Sequence, residues 1–189
     1  MNRNTAVSLG ITYGIVSIII FLLQALLDSS MVVSVLLGTA ALVAVIALPI
    51  MFIRKERMAA GGYISFWAVF RLTALGLVVG GVISTTFSLV YISYIDPGYP
   101  EQVLMSALET QKKFMEGAMG REQMEEIMRE TEESIRDGFT TTGMLKTFGY
   151  YVIFYLVLGL IFAAFMKKEP PRGADETPLD SETETFASN

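Results

Sequence analysis

A dense run of carboxylates is the first group of side chains in this chain that could do chemistry. Its members are Glu122, Glu125, Glu126, Glu130, Glu132 and Glu133. Ca²⁺ prefers such oxygen ligands, but the Asp-x-Asp-x-Asp-Gly loop of a helix-loop-helix calcium site does not accompany them. The run is therefore more typical of a solvated helix face than of a metal site.

Methionines in the same region form a second group, which the pattern predicts to face outward. They are Met105, Met115, Met119, Met124 and Met128. Clustered thioethers can hold Cu(I), but this chain has no Cys or His to complete such a site. Methionine also fills apolar interfaces adaptably, so Met115 and Met128 are predicted as contact residues for a partner surface.

The complete absence of histidine and cysteine restricts any catalysis. It removes the usual general base, proton shuttle and thiolate nucleophile, and no carboxylate pair lies in an apolar segment. We therefore expect no enzymatic activity, no cofactor, no metal and no nucleic-acid partner.

The elements that must position these side chains are long segments without charged residues. Four of them carry no charged side chain: Asn4 to Leu27, Ser29 to Ile53, Leu72 to Ile95 and Thr147 to Met166. A helix rises about 1.5 Å per residue and needs roughly 20 apolar residues to cross a bilayer. Hydrophobic residues make up 52% of the chain, and its mean hydropathy is +0.51. The sequence thus predicts an integral membrane protein that uses the lipid bilayer as solvent.

The loops between these segments predict an all-α membrane four-helix bundle of two antiparallel hairpins. Spans are expected at about 5–27, 31–53, 66–95 and 144–166, within a membrane domain over 1–168. Only Asp28-Ser29-Ser30 joins the first two spans, so these must be neighbours. Ser65 is a candidate N-cap of span three, which Asp96-Pro97-Gly98 should end.

The segment 96–142 is predicted to form an extracytoplasmic helical hairpin. Apolar residues recur there at spacings of three and four in two stretches, with Gly117 and Gly120 between them. Ion pairs are expected for Glu125 with Arg129 and for Glu132 with Arg136. The residues 169–189 are rich in Pro and acids, which predicts a disordered cytoplasmic tail.

The distribution of basic residues predicts the orientation. If four spans alternate, one side carries Arg3, Arg54, Lys55, Arg57, Arg71, Lys167 and Lys168, whereas acids clearly outnumber bases on the other side. The positive-inside rule then places both termini in the cytoplasm and the chain in the cytoplasmic (inner) membrane as a multi-pass protein.

Small residues within the spans are candidates for helix packing. Gly10 and Gly14 lie one turn apart in span one, and Gly76 and Gly80 do so in span three. Such faces allow close helix contact, either inside one bundle or between two copies, and packing inside the bundle is favoured. Arg71 is the one ionisable residue that could lie at depth, although snorkelling to the interface is favoured over a role in a pathway.

Two short stretches carry a family resemblance: Gly62-Tyr63-Ile64-Ser65-Phe66-Trp67-Ala68-Val69-Phe70 and Tyr94-Ile95-Asp96-Pro97-Gly98-Tyr99. With the Met- and Glu-rich helical loop, they resemble the bacterial domain-of-unknown-function family 4199, small four-span membrane proteins common in Bacteroidetes-type bacteria. The resemblance covers roughly Thr5 to Lys168. It implies a cytoplasmic-membrane location and four spans, but no activity, cofactor or catalytic residue.

These observations favour a structural or protein-interaction component of the bacterial cell envelope that presents an acidic amphipathic helical loop outside. Its partner would be an envelope protein or a second copy of the chain. The alternative is a subunit of a small transporter or channel, for which Pro49, Ser84 to Thr86 and Ser88 are the candidate mid-membrane groups.

Overall fold

The computed structural model describes residues 3–27, 31–115 and 120–169. Over these residues the chain is all-α, with six α-helices and no β-strand: α1 (Arg3–Leu26), α2 (Met31–Ala59), α3 (Phe66–Val90), α4 (Tyr99–Met115), α5 (Arg121–Phe139) and α6 (Thr141–Met166). A short π-helix, Tyr91–Ile95, continues α3. The predicted Asp28-Ser29-Ser30 turn, Gly117, Met119 and nearly all of the predicted tail lie outside the described residues.

Four of these helices are long and apolar enough to cross a membrane, as the sequence predicts. They are Asn4–Leu26, Val32–Ala59, Phe66–Ile95 and Thr141–Met166. Large apolar side chains cover their outer surfaces, and Phe165 of α6 is 85% exposed. Apolar surface of this extent is typical of contact with lipid, so the fold is that of a multi-pass membrane protein.

Local signals determine how α2 ends and α3 begins. Gly61 and Gly62 have φ values of 72° and 94°, a region that favours glycine. The Gly62 N–H donates to the Arg57 carbonyl at 2.9 Å and the Gly61 N–H to the Met58 carbonyl at 3.3 Å, which is a Schellman motif. The hydroxyl of Ser65 then accepts from the Ala68 N–H at 3.3 Å, so the predicted N-cap of α3 is confirmed.

The segment before α3 is tied to the end of α6 by a two-residue antiparallel bridge. Ile64 and Lys168 exchange both backbone hydrogen bonds, at 2.8 and 2.9 Å. Lys168 Nζ also lies 5.8 Å from the centre of the Tyr63 ring. The α2–α3 connection and the end of α6 therefore lie at the same end of the bundle.

Helix α3 is the centre of the bundle. It packs along both α1 and α6, while α2 contacts α1 and, over a shorter stretch, α3. Leu9, Ile53, Val69, Leu72 and Ala163 form a fully buried cluster near the Ile64 end. The helix contacts thus centre on α3: the members of each predicted hairpin, α1 with α2 and α3 with α6, are in contact, and the packing of α1 on α3 joins the two pairs.

Candidate functional site

The four glycines singled out in the sequence meet in one contact between α1 and α3. A methyl group on Gly10 would lie 2.8 Å from the carbonyl oxygen of Gly76, and one on Gly14 would lie 3.3 Å from that of Gly80. Distances this short mean that the two backbones touch. This glycine face is occupied within the chain itself.

Arg71 lies on the outer surface of α3. Its side chain is exposed, and its Nε donates to the carbonyl of Trp67 at 3.2 Å. Trp67 is itself 62% exposed, and the rings of Phe66 and Phe70 contact it edge to face. The guanidinium therefore lies beside an exposed aromatic group and not in the core of the bundle.

The methionines do not all face outward as the pattern predicts. Met105 is exposed, but Met115 is only 8% exposed, and Met124 and Met128 are half-buried. The reason is that α4 and α5 pack against each other, which removes part of their apolar stripes from solvent.

The carboxylates of α5 remain on its solvent-facing side. Glu122, Glu125, Glu126, Glu130 and Glu133 are all exposed. Among the described residues no three acidic side chains come together as a metal site would require. The acidic face of α5, defined by these five residues, is a broad negative surface without convergent ligands.

Arg136 of α5 forms one ion pair with α4 and one within α5. Arg136 contacts Glu101 of α4 at 3.2 Å and Glu132 at 3.0 Å, so the predicted Glu132 pair is confirmed. The predicted pair of Glu125 with Arg129 does not form in the part of the chain that the structure describes. The side chains of Arg136, Glu101 and Glu132 are 54%, 57% and 44% exposed, so the contribution of these pairs to stability is small.

An aromatic cluster joins α4 and α5 to the end of the bundle. The Phe21 ring of α1 lies 5.2 Å from that of Tyr91 and 5.4 Å from that of Tyr99, and Tyr99 lies 6.0 Å from Phe139 of α5. Most of these contacts are edge to face, the arrangement that aromatic rings prefer. Burial in this cluster raises the pKa of the Tyr99 phenol, with smaller contributions from Tyr91 and Asp96.

A cavity of about 510 Å³, with both apolar and uncharged polar lining residues, lies where α1, α2, α4 and α5 meet. Gln24, Ser34, Tyr99, Ser106 and Gln111 are among its lining residues, and none of the lining side chains is charged. The Oε1 atom of Gln111 is buried and accepts no hydrogen bond within the described residues. The cavity therefore offers neutral hydrogen-bonding groups at the end of the spans.

A lateral groove of about 460 Å³ runs between α2 and α6, with α3 as its floor. Gly38 and Leu42 lie on the α2 side, Tyr151 and Phe154 on the α6 side, and Gly81 on the floor. Leu42, Tyr151 and Phe154 are 56%, 52% and 45% exposed, so the rim of the groove reaches the outer surface of the bundle. The groove is thus accessible from the surface that faces lipid.

Hydroxyl groups line the inner part of this groove. The phenol oxygens of Tyr13 and Tyr155 lie 3.1 Å apart in a hydrogen bond, and their rings contact edge to face at 6.0 Å. Ser84 and Thr85 also line it. Two of the hydroxyls proposed for a polar pathway therefore come together here, whereas Thr86 is exposed and Pro49 is buried.

Sequence reasoning missed the tyrosine pair. Tyr13 and Tyr155 lie near the middle of their spans, whereas tyrosines in membrane proteins are enriched at the two interfaces. Their depth is the signal that could have identified them. Their pairing follows only from the packing of α1 and α6 on α3.

Comparison with protein-family models gives a match over most of the chain. The family model described as "Protein of unknown function (DUF4199)" matches residues 8–168. No curated protein and no solved structure matches the chain.

Proposed function

The chain belongs to the DUF4199 family, as its sequence resemblance predicts, and from its charge distribution and the acidic helix α5 we propose that it is a non-enzymatic structural or protein-interaction component of the bacterial cell envelope. It would span the cytoplasmic (inner) membrane four times, with both termini in the cytoplasm. The α4–α5 pair would then lie outside and present its acidic face to an envelope protein or to a second copy.

The distribution of charge along the bundle supports this orientation. Arg54, Lys55 and Arg57 lie near the end of α2, and the bridge between Ile64 and Lys168 joins that region to the end of α6. The basic residues at the end of α2 and those at the end of α6, Lys167 and Lys168, therefore lie at one end of the bundle. The acidic helix α5 lies at the other end. Basic connections are retained in the cytoplasm during insertion.

Reporter fusions test the orientation directly. Alkaline phosphatase should be active when fused at Arg121 and inactive when fused at Glu56 or within the tail. Green fluorescent protein, which fluoresces in the cytoplasm, should give the reverse pattern. An active phosphatase at Glu56 would contradict the proposed orientation.

The observation that carries the interaction role is the attachment of an acidic helix to an otherwise apolar bundle. The aromatic cluster of Phe21, Tyr91, Tyr99 and Phe139 holds the α4–α5 pair against α1 and α3. An ordered, negatively charged surface of this kind favours a partner with a basic surface, since complementary charge steers association.

Site-specific photocrosslinking in intact cells tests this role. A photoreactive residue at Glu126, on the acidic face, should capture a discrete protein, and the same residue at Val43, on the apolar surface of α2, should capture lipid. The double substitution Glu125→Lys with Glu130→Lys should abolish the protein adduct, and added salt should weaken the adduct. If the photoreactive residue at Glu126 captured only lipid and other copies of this chain, binding to another envelope protein would be contradicted.

The hydroxyl-lined groove favours a second candidate function, a subunit of a small transporter or channel. Hydroxyls at mid-membrane are the groups that a polar pathway needs. Because the chain contains no cysteine, single cysteines at Ser84 and Ser88 can be introduced into the natural sequence. Labelling of both by a membrane-impermeant thiol reagent would favour the pathway over the structural role.

A further inference from the structure

The hydroxyl groups of the lateral groove have more hydrogen-bond donors than the chain satisfies. In the bond between Tyr13 and Tyr155 one hydroxyl donates, so the accepting hydroxyl still has a proton to donate. Ser84 and Thr85 form no hydrogen bond within the described residues, although Thr12 and Thr39 each donate to the carbonyl four residues earlier. The groove therefore holds donors that lack acceptors.

These donors lie deep in the membrane. Gly81, on the floor of the groove, is near the middle of the Phe66–Ile95 span, and Tyr155 is near the middle of Thr141–Met166. Water is scarce at this depth, so a donor there needs an acceptor from the protein or from a ligand. The ester carbonyls of phospholipids lie at the interface, too far from the groove to supply that acceptor.

The walls of the groove define the remaining chemistry of such a ligand. No charged side chain lines it, which favours a neutral molecule. Phe148, Tyr151, Phe154 and Tyr155 contribute aromatic rings along α6, and the rings of Tyr151 and Tyr155 stack with an interplanar angle of 17°. Aromatic walls favour a flat ring, and a volume of about 460 Å³ lies within the range of small-molecule sites.

We infer that the lateral groove binds a neutral, membrane-soluble molecule with carbonyl oxygens on a flat ring, of the quinone class. Its ring lies against the aromatic wall of α6. One carbonyl oxygen accepts a hydrogen bond from the hydroxyl of the Tyr13–Tyr155 pair that does not donate within the pair, and another accepts from Ser84 or Thr85. It reaches the groove from the lipid through the gap between Leu42 and Phe154. This binding role is independent of the function of the acidic face.

Calorimetric titration of the full-length protein in phospholipid nanodiscs tests this inference. The probes are a short-chain benzoquinone and a short-chain naphthoquinone, and empty nanodiscs measure their partition into lipid. Saturable binding beyond partition is expected for at least one probe. Removing both phenol hydroxyls, as Tyr13→Phe with Tyr155→Phe, should weaken binding about tenfold, since a hydrogen bond contributes roughly a factor of three to ten.

Two further variants keep the test decisive. Tyr150→Phe removes an exposed hydroxyl outside the groove and should leave the affinity unchanged. Gly38→Phe should abolish saturable binding by filling the groove, and nothing lies within 4 Å of a Cβ at Gly38, so the fold should tolerate it. This variant remains informative if the double tyrosine variant fails to fold.

Three results would overturn the inference. The first is partition alone, indistinguishable from that of empty nanodiscs. The second is saturable binding with the same affinity in the Gly38→Phe protein, which would place the ligand elsewhere. The third is displacement of bound probe by a simple fatty acid at equal concentration, which would mean that the groove selects acyl chains and not ring carbonyls.

Discussion

A methyl group on Gly80 would lie 2.7 Å from the carbonyl oxygen of Gly10, so α1 and α3 touch backbone to backbone at these two residues. Lipid does not drive helices together by the hydrophobic effect, so such close contact is a main source of attraction between spans. The contact also holds Tyr13 beside Gly80, since one atom of its ring would lie 2.6 Å from that methyl group.

The first prediction concerns this contact. Gly80→Ala should force α1 away from α3 and lower the free energy of unfolding by about 1–3 kcal/mol, as overpacking typically does. Thermal unfolding in detergent measures the change. Gly149→Ala is the matched control, because nothing lies within 4 Å of a Cβ at that glycine of α6. Equal stability of the two variants would mean that α1 and α3 are not in close contact at Gly80.

The second prediction concerns the start of α6. The Thr140 hydroxyl accepts from the Gly143 N–H at 2.9 Å and donates to the Asp137 carbonyl at 2.7 Å, so it joins the end of α5 to the first turn of α6. Thr140→Ala should cost about 1 kcal/mol of stability through loss of this N-cap. Chemical denaturation measures the loss, and Thr140→Ser, which keeps the hydroxyl, should retain most of the stability. An alanine variant as stable as the serine variant would contradict the capping role.

The sequence predicted the local features of the fold well. Ser65 was identifiable as an N-cap because capping depends on neighbouring residues, and the four spans were identifiable because they lack charge. It did not predict that α3 is central, or that Tyr13 meets Tyr155. Those features depend on which face of each helix packs, and helices that are apolar on all sides carry little periodic signal for that choice. Met115 was wrongly predicted to face outward because the sequence alone did not establish that α4 packs on α5.

The third prediction concerns alkaline pH. Burial raises the pKa of Tyr99 above its ordinary value of 10.0, so the folded protein retains this proton at a pH where the unfolded chain loses it. Stability contributed by neutral Tyr99 is therefore complete below pH 10 and is lost as the pH rises through the folded pKa. Unfolding midpoints measured between pH 8 and pH 11 should fall more steeply in the natural protein than in Tyr99→Phe.

A second tyrosine serves as the control for this pH dependence. Tyr94 is 83% exposed, so Tyr94→Phe should leave the alkaline loss of stability intact. Identical pH profiles for the natural protein and Tyr99→Phe would contradict the effect of burial on Tyr99.

The fourth prediction concerns Phe21, which connects the bundle to the α4–α5 pair. Its ring contacts those of Phe87, Tyr91 and Tyr99, and each aromatic pair contributes about 0.5–1.5 kcal/mol beyond burial. Phe21→Ala should therefore release the α4–α5 pair while the four spans remain folded. Hydrogen exchange should become faster in α4 and α5 and stay slow in α3.

Phe21→Leu separates the loss of the ring from the loss of apolar volume. Leucine preserves much of the buried surface but has no ring for edge-to-face contacts, so its exchange rates in α4 should lie between those of the natural protein and Phe21→Ala. The acidic face of α5 is held in place through this cluster, so photocrosslinking from Glu126 should weaken in the same order. Unchanged exchange in α4 for Phe21→Ala would mean that the α4–α5 pair is held by other contacts, such as those of α5 with α6.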